Sequence, residues 1–137
     1  VIDMHDIQTR REIESVLVEW SWLIDHGRAQ DAAVLFTQDA EQSIAGVTAS
    51  GIEAIAQGLK RRADMTGRTS RHVISNLRLS MSSDATVDVT WILTLYRSDD
   101  AGKPARPILV CDVQDSFRKE ASGWKIRSRK VIPVFSD

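Results

Sequence analysis

The chain has a single cysteine, Cys111, among its 137 residues. A lone thiol excludes an internal disulfide framework. Its neighbours Val110 and Val113 predict a buried, unreactive sulfur and a reducing, cytoplasmic setting. Glycine is sparse and dispersed: Gly46, Gly51, Gly58 and Gly67 stand as separated singles, so no phosphate-cradling loop forms. Three histidines without HxH or HxxxH spacing, and without cysteine partners, give no zinc signature. No GxSxG elbow offers a serine nucleophile. No apolar run approaches the roughly 20 residues that span a bilayer, and no signal-peptide pattern opens the chain. An excess of one charge is lacking too, since 18 Lys and Arg against 19 Asp and Glu leave a formal charge of −1. The basic residues fall in short runs (Arg10-Arg11; Lys60-Arg61-Arg62; Arg127, Arg129 and Lys130) broken by acids or apolar residues. That distribution excludes an electrostatic footprint for nucleic acid or an anionic membrane.

What is present is the composition of one globular domain over residues 1–137, with 42% apolar and 27% charged residues. A chain of this length buries about two-thirds of its unfolded surface in one core.

The order of elements predicts an α+β fold. A first helix runs from about Asp6 to Asp25, with Ile13, Val16, Leu17, Trp20, Leu23 and Ile24 in one apolar stripe and Gly27 as its stop. Val18 and Trp22 lie on the opposite side, with Asp25 three residues beyond Trp22. The helix is therefore expected to be enclosed twice, by a sheet and by a helix, a subunit contact or a ligand cavity. A short second helix is expected at about Ala29–Phe36, broken by Thr37–Ala40. Glu41–Ala45 and Val47–Ser50, split by Gly46, read as a short pair of strands. A third helix spans about Ile52–Met65, with Ile52, Ile55, Ala56 and Leu59 inward. From Ser70 the period becomes two, and strands are expected at about Arg71–Met81, Thr86–Ser98, Arg106–Lys119 and Trp124–Val134. The turn-type residues between them make these four an antiparallel meander, with the helices packed on one face of a curved sheet.

Within the first of those strands, Ser70-Arg71-His72-Val73-Ile74 carries an imidazole in an otherwise ordinary pattern. The long helix ends on a carboxylate, in Trp22-Leu23-Ile24-Asp25-His26-Gly27. If the fold joins Asp25 and His72, the protein holds a general acid–base pair; if not, His72 is a hydrogen-bonded core histidine and Asp25 a solvated helix end. Asn76 shares the parity of His72 and is the expected pocket donor. Trp20, Trp22 and Trp91 supply either flat walls for a ring-shaped ligand or ordinary core. Asp112 and Gln114 share a face that either enters the pocket or meets solvent. Arg129 and Lys130 lie on the last strand, where one could reach an anionic leaving group or face water. His26 is expected as a solvated cap at a helix C-terminus, and His5 as inert.

This order, with Leu35-Phe36-Thr37-Gln38-Asp39-Ala40 before the first hairpin and the His72 strand after the third helix, resembles the SnoaL-like branch of the nuclear transport factor 2-like superfamily. The resemblance covers nearly the whole chain. It implies a cone-shaped α+β barrel, a strongly bent and mostly antiparallel sheet around a pocket lidded by helices. Within the superfamily the chain is similar to the scytalone dehydratase and hexachlorocyclohexane dehydrochlorinase group. That implies Asp25 and His72 as catalytic residues meeting inside the cone. A histidine titrates near neutrality and can take and return a proton, while a carboxylate on one ring nitrogen fixes the tautomer and steadies the imidazolium. The implied activity is a cofactor-free lyase or isomerase acting on a small, largely apolar, cyclic substrate.

Departures leave the substrate open. The chain has one tyrosine, Tyr96, no second histidine on the strand of His72, and Trp20 and Trp22 where a dehydrochlorinase has a lysine. A second reading is a binding module or accessory subunit, as the small subunits of ring-hydroxylating dioxygenases are. A third is limonene epoxide hydrolase-like, with Asp88 or Asp112 and Arg129 as an Asp-Arg-Asp sketch. Open sheets commonly bury a face in a partner, so a homo-oligomer, dimer or trimer, is expected.

Overall fold

The structure, a computed structural model, describes residues 4–100, 103 and 106–137, with side chains from Asp6 onward. The side chain of His5, on which its expectation rests, and part of the turn before Arg106 lie outside what is described. Helix α1 spans Met4–Asp25. Its expected stripe is its core face: Ile13, Leu17, Trp20, Leu23 and Ile24 are buried. Each such side chain taken out of water contributes roughly 1.5–3 kcal/mol, which fixes the rotation of the helix about its axis. The second apolar side is not enclosed in the single chain, because Val18 and Trp22 are 53% and 58% exposed.

After α1 the chain makes a 3-10 turn over Ala29–Leu35, tighter than the helix expected there. Thr37–Ala40, expected as a break, already belongs to strand β1, Phe36–Ile44. Burial of Phe36, Thr37 and Ala40 outweighs the turn preference of the intervening Gln38 and Asp39. A two-residue turn leads to β2, Val47–Ser50. Both turn residues have positive φ, 50° at Ala45 and 84° at Gly46, the geometry that matches strand twist in a tight hairpin. Helix α2, Ile52–Asp64, buries Ile55 and Leu59.

The meander follows as β3 (Thr69–Ser83), β4 (Thr86–Ser98), β5 (Arg106–Glu120) and β6 (Gly123–Ser136). The sheet order is β2-β1-β6-β5-β4-β3. Only β1 and β6 run parallel; the other neighbours are antiparallel. Because β2 and β3 both remain edges, the sheet is open and does not close into a barrel. Alternation sends Val87, Val89, Trp91 and Leu93 of β4 and Cys111, Val113 and Phe117 of β5 into the core. Burial, with the nearby charge of Asp112, pushes the Cys111 thiol up, so it is inert as a nucleophile. On the outer face Val73, Thr94, Val110 and Phe135 stand in one row across β3, β4, β5 and β6. Val73 and Phe135 in that row are exposed. Among the described residues no helix is long and apolar enough to cross a membrane.

Candidate active site

Asp25 is the last residue of α1, and α1 packs against edge strand β3. A carboxylate at a helix C-terminus meets the negative end of the helix dipole. The last turn contains no basic residue to offset it, so the donors come from β3. The His72 backbone N–H donates to Asp25 Oδ2 at 2.7 Å. His72 Nδ1 lies 2.6 Å from Asp25 Oδ1, and the Ser70 hydroxyl donates to the same oxygen at 2.8 Å. Arg62 Nη2 donates in turn to Ser70 Oγ at 2.8 Å. The carboxylate thus occupies the place of a missing neighbour strand, taking an N–H that the sheet edge leaves unpaired.

Both partners are shielded, with side-chain exposures of 13% for His72 and 5% for Asp25. Burial alone would push the Asp25 carboxyl up. The His72 ring, its N–H and its charge, together with the Ser70 hydroxyl, outweigh burial and hold the group below its ordinary value. An ionised carboxylate only accepts, so Nδ1 carries the proton, and in the neutral tautomer this leaves the lone pair on Nε2. Trp20 meets the imidazole edge-on, with ring centres 5.2 Å apart, and limits its rotation.

His72, Ser70 and Trp20 line a cavity of about 320 Å³ between α1, α2, the β1–β2 hairpin and the ends of β3 and β4. Its walls are mostly apolar, with Ile24, Ile44, Val47, Ile55, Leu59 and Leu95. Arg61, Arg62, Arg68 and Arg97 line it as well. Arg68 and Arg97 share Asp99, at 2.6 and 3.4 Å. Burial first, then the charge of Arg68, pull Arg62 below the ordinary arginine value, against the attraction of Asp25 and Asp99. A larger hollow of about 670 Å³ lies on the outer sheet face among Glu41, Arg78, Asp88 and Lys130. Asp115 and Arg129 are among the residues that line it, but neither Asp25 nor His72 is, and the smaller cavity is the one that holds the Asp25–His72 pair's imidazole.

The other expected site residues are dispersed. Asn76 faces outward, because a bulge between Ser75 and Arg78 shifts the parity of β3; it is exposed, with φ 59°. Asp112 and Gln114 are exposed on the outer face, where they share a separate hollow of about 320 Å³ with Asn76. Trp22 is exposed and stacks on His26 at 3.8 Å, so it walls no pocket, and His26 caps the helix by bonding the Trp22 carbonyl. Trp91 is 2% exposed and packs behind Trp20, ring centres 6.0 Å apart, without lining the cavity.

Arg129 does not face water and is not among the residues that line the cavity of His72. It is buried, and its Nε and Nη2 each donate at 2.8 Å to the two oxygens of Asp115. The Trp91 indole N–H donates to the same carboxylate at 2.9 Å. The guanidinium lies over Trp20, 4.5 Å from the ring centre. An Asp-Arg-Asp set from Asp88 or Asp112 with Arg129 is therefore not assembled: Asp88 and Asp112 face outward and Arg129 inward. Sequence reasoning missed Ser70, Asp115 and the arginines of the cavity. Ser70 shares the parity of His72, and Asp115 that of Cys111, Val113 and Phe117, so both had a signal; Arg61 and Arg62 on a helix had none.

Solved structures carry the same architecture. An NTF2-like protein with a cystatin-like fold from Novosphingobium aromaticivorans superposes with a TM-score of 0.83 at 19% identity, covering 98% of this chain and 87% of its own. A second protein of that organism, provisionally named a scytalone dehydratase, gives 0.84 at 24%, over 96% and 88%. ActVI-ORFA from Streptomyces coelicolor gives 0.80 at 23%, over 91% and 97%. At these identities the likeness establishes the fold. The family model for the SnoaL-like domain matches residues 5–130, and the chain belongs to that family. No curated protein matches it.

Proposed function

We propose that this protein is a cofactor-free lyase or isomerase, with the open sheet and helices forming the cone around the 320 Å³ cavity. His72 Nε2 removes a proton from a carbon beside a carbonyl, and the electron pair moves onto the carbonyl oxygen as an enolate. The imidazolium then returns the proton to a departing hydroxyl, releasing water, or to another carbon, completing an isomerisation. Asp25 keeps the proton on Nδ1 and steadies the imidazolium. Trp20 and the aliphatic walls take an apolar, cyclic body.

The observation that supports this reading is the 2.6 Å contact of His72 Nδ1 with a buried carboxylate, which leaves the second ring nitrogen for the cavity. The rival reading is a binding module with the same pocket. Deuterium uptake at the α-carbon of small ring ketones in D2O, followed by proton NMR, separates the two. Wild type is expected to speed exchange on at least one ketone, and His72→Gln to lose about 10²–10⁴-fold of that rate. Equal exchange in the two proteins across the panel would sink the proposal. The proposal also includes self-association through the exposed outer face of the sheet.

A further inference from the structure

The cavity is apolar at the imidazole and strongly cationic around Arg61, Arg62, Arg68 and Arg97, and no carboxylate is among the residues that line it. Asp99 serves two of the four arginines from outside, and Arg62 bonds only the neutral Ser70 hydroxyl. Arg61 folds back along α2: a Cβ at Gly58 would stand 3.5 Å from its Nη2. Arg62, Arg68 and Arg97 are half-buried, while Arg61 is exposed. Like charges gathered at the wall of an apolar cavity repel one another. An anion entering the cavity would relieve that repulsion.

We infer that the substrate is amphipathic, an apolar one- or two-ring body carrying a carboxylate that the arginine cluster holds while the ring lies against Trp20 and His72. Guanidinium groups present paired N–H donors in the plane that a carboxylate accepts. A cavity of about 320 Å³ is at the small end of ligand sites, which run to about 1,000 Å³, and suits such a body. The inference deepens the proposed function and rests on it for the reacting end of the pocket.

The probes are 2-naphthoate, its neutral methyl ester and 2-naphthyl phosphate, titrated by calorimetry. The acid is expected to bind at least about tenfold more tightly than the ester, a difference of one charge-assisted contact. That preference should fall as salt is raised from about 50 to 500 mM, while ester binding holds. Arg61→Met with Arg97→Met, which leaves Arg62 and Arg68 in the wall, should reduce the preference and leave ester affinity unchanged, whereas Lys125→Met, remote from the cavity, should preserve it. Arg62 is spared because it supports Ser70. Equal affinity for acid and ester, or a preference undiminished in the double variant, overturns the inference. A phosphate more than about tenfold tighter than the acid overturns the carboxylate assignment. Repeating the titrations in His72→Gln separates the two readings. An arginine-dependent preference there without exchange activity in wild type upholds the anion site and fails the enzyme, while exchange on neutral ketones alone does the reverse.

Discussion

Asp25 shows how a single residue is placed by donors and not by its own helix. The helical wheel sets it beside exposed Val18 and Trp22, yet its carboxylate is held by His72 and Ser70. Because these donors favour the ionised form, the folded-state pKa lies below the unfolded value of about 3.9. The stabilisation is therefore complete above that unfolded value and is lost as pH falls through the folded one. Asp25→Asn is expected to cost on the order of 1–3 kcal/mol at pH 7, and the gap from wild type should close as pH drops below about 4. Urea melts at a series of pH values read this directly; a gap independent of pH would mean that charge is not what the donors stabilise. Periodicity alone could not select this carboxylate, and only the position shared with a known family pointed to it. Arg129 was hidden for a different reason. An arginine in the last strand reads as surface until Asp115 is found facing it from β5.

At the scale of elements, strand boundaries were legible to within a few residues, because alternation of apolar and polar side chains is strong from Ser70 onward. Parity was not legible across bulges. Asn76 counts as an inward residue from His72, and the extra residue between Ser75 and Arg78 turns it outward. A second irregularity between β5 and β6, at Ser116 and Phe117, lets Ile126 and Arg129 both face the core although their spacing is odd. Parity is therefore a reliable guide only between bulges, and bulges leave little trace in sequence. Asn76 itself carries such a trace, since asparagine tolerates its φ of 59°. Asn76→Gly should hold stability within about 0.5 kcal/mol, while the β-branched Asn76→Val should lose about 1–2 kcal/mol. Thermal denaturation of the pair checks this; equal melting temperatures would show that the bulge is not conformationally demanding.

For the whole molecule, the helices-then-meander order was enough to give the α+β class, but not the parallel pairing of β1 with β6, which brings together segments far apart in the chain. The open sheet leaves one face without helices, and there the exposed Val73 and Phe135 share a row. Self-association through that face predicts a sedimenting species heavier than the 15.3 kDa chain, reduced to monomer by Val73→Glu with Phe135→Glu while circular dichroism is unchanged. A wild type that sediments as a monomer at every concentration tested would remove this part of the proposal.

The position of β6 has a consequence for how the chain is made. It is the last strand in chain order, yet it lies inside the sheet, between β1 and β5. As the polypeptide is synthesised, β3, β4 and β5 can pair with one another as they emerge. The hairpin of β1 and β2 packs against α2 but has no further strand to pair with until β6 arrives. Contacts of such long sequence separation form late and together, so the two halves of the sheet close in one terminal event, when their shared middle strand is laid between them.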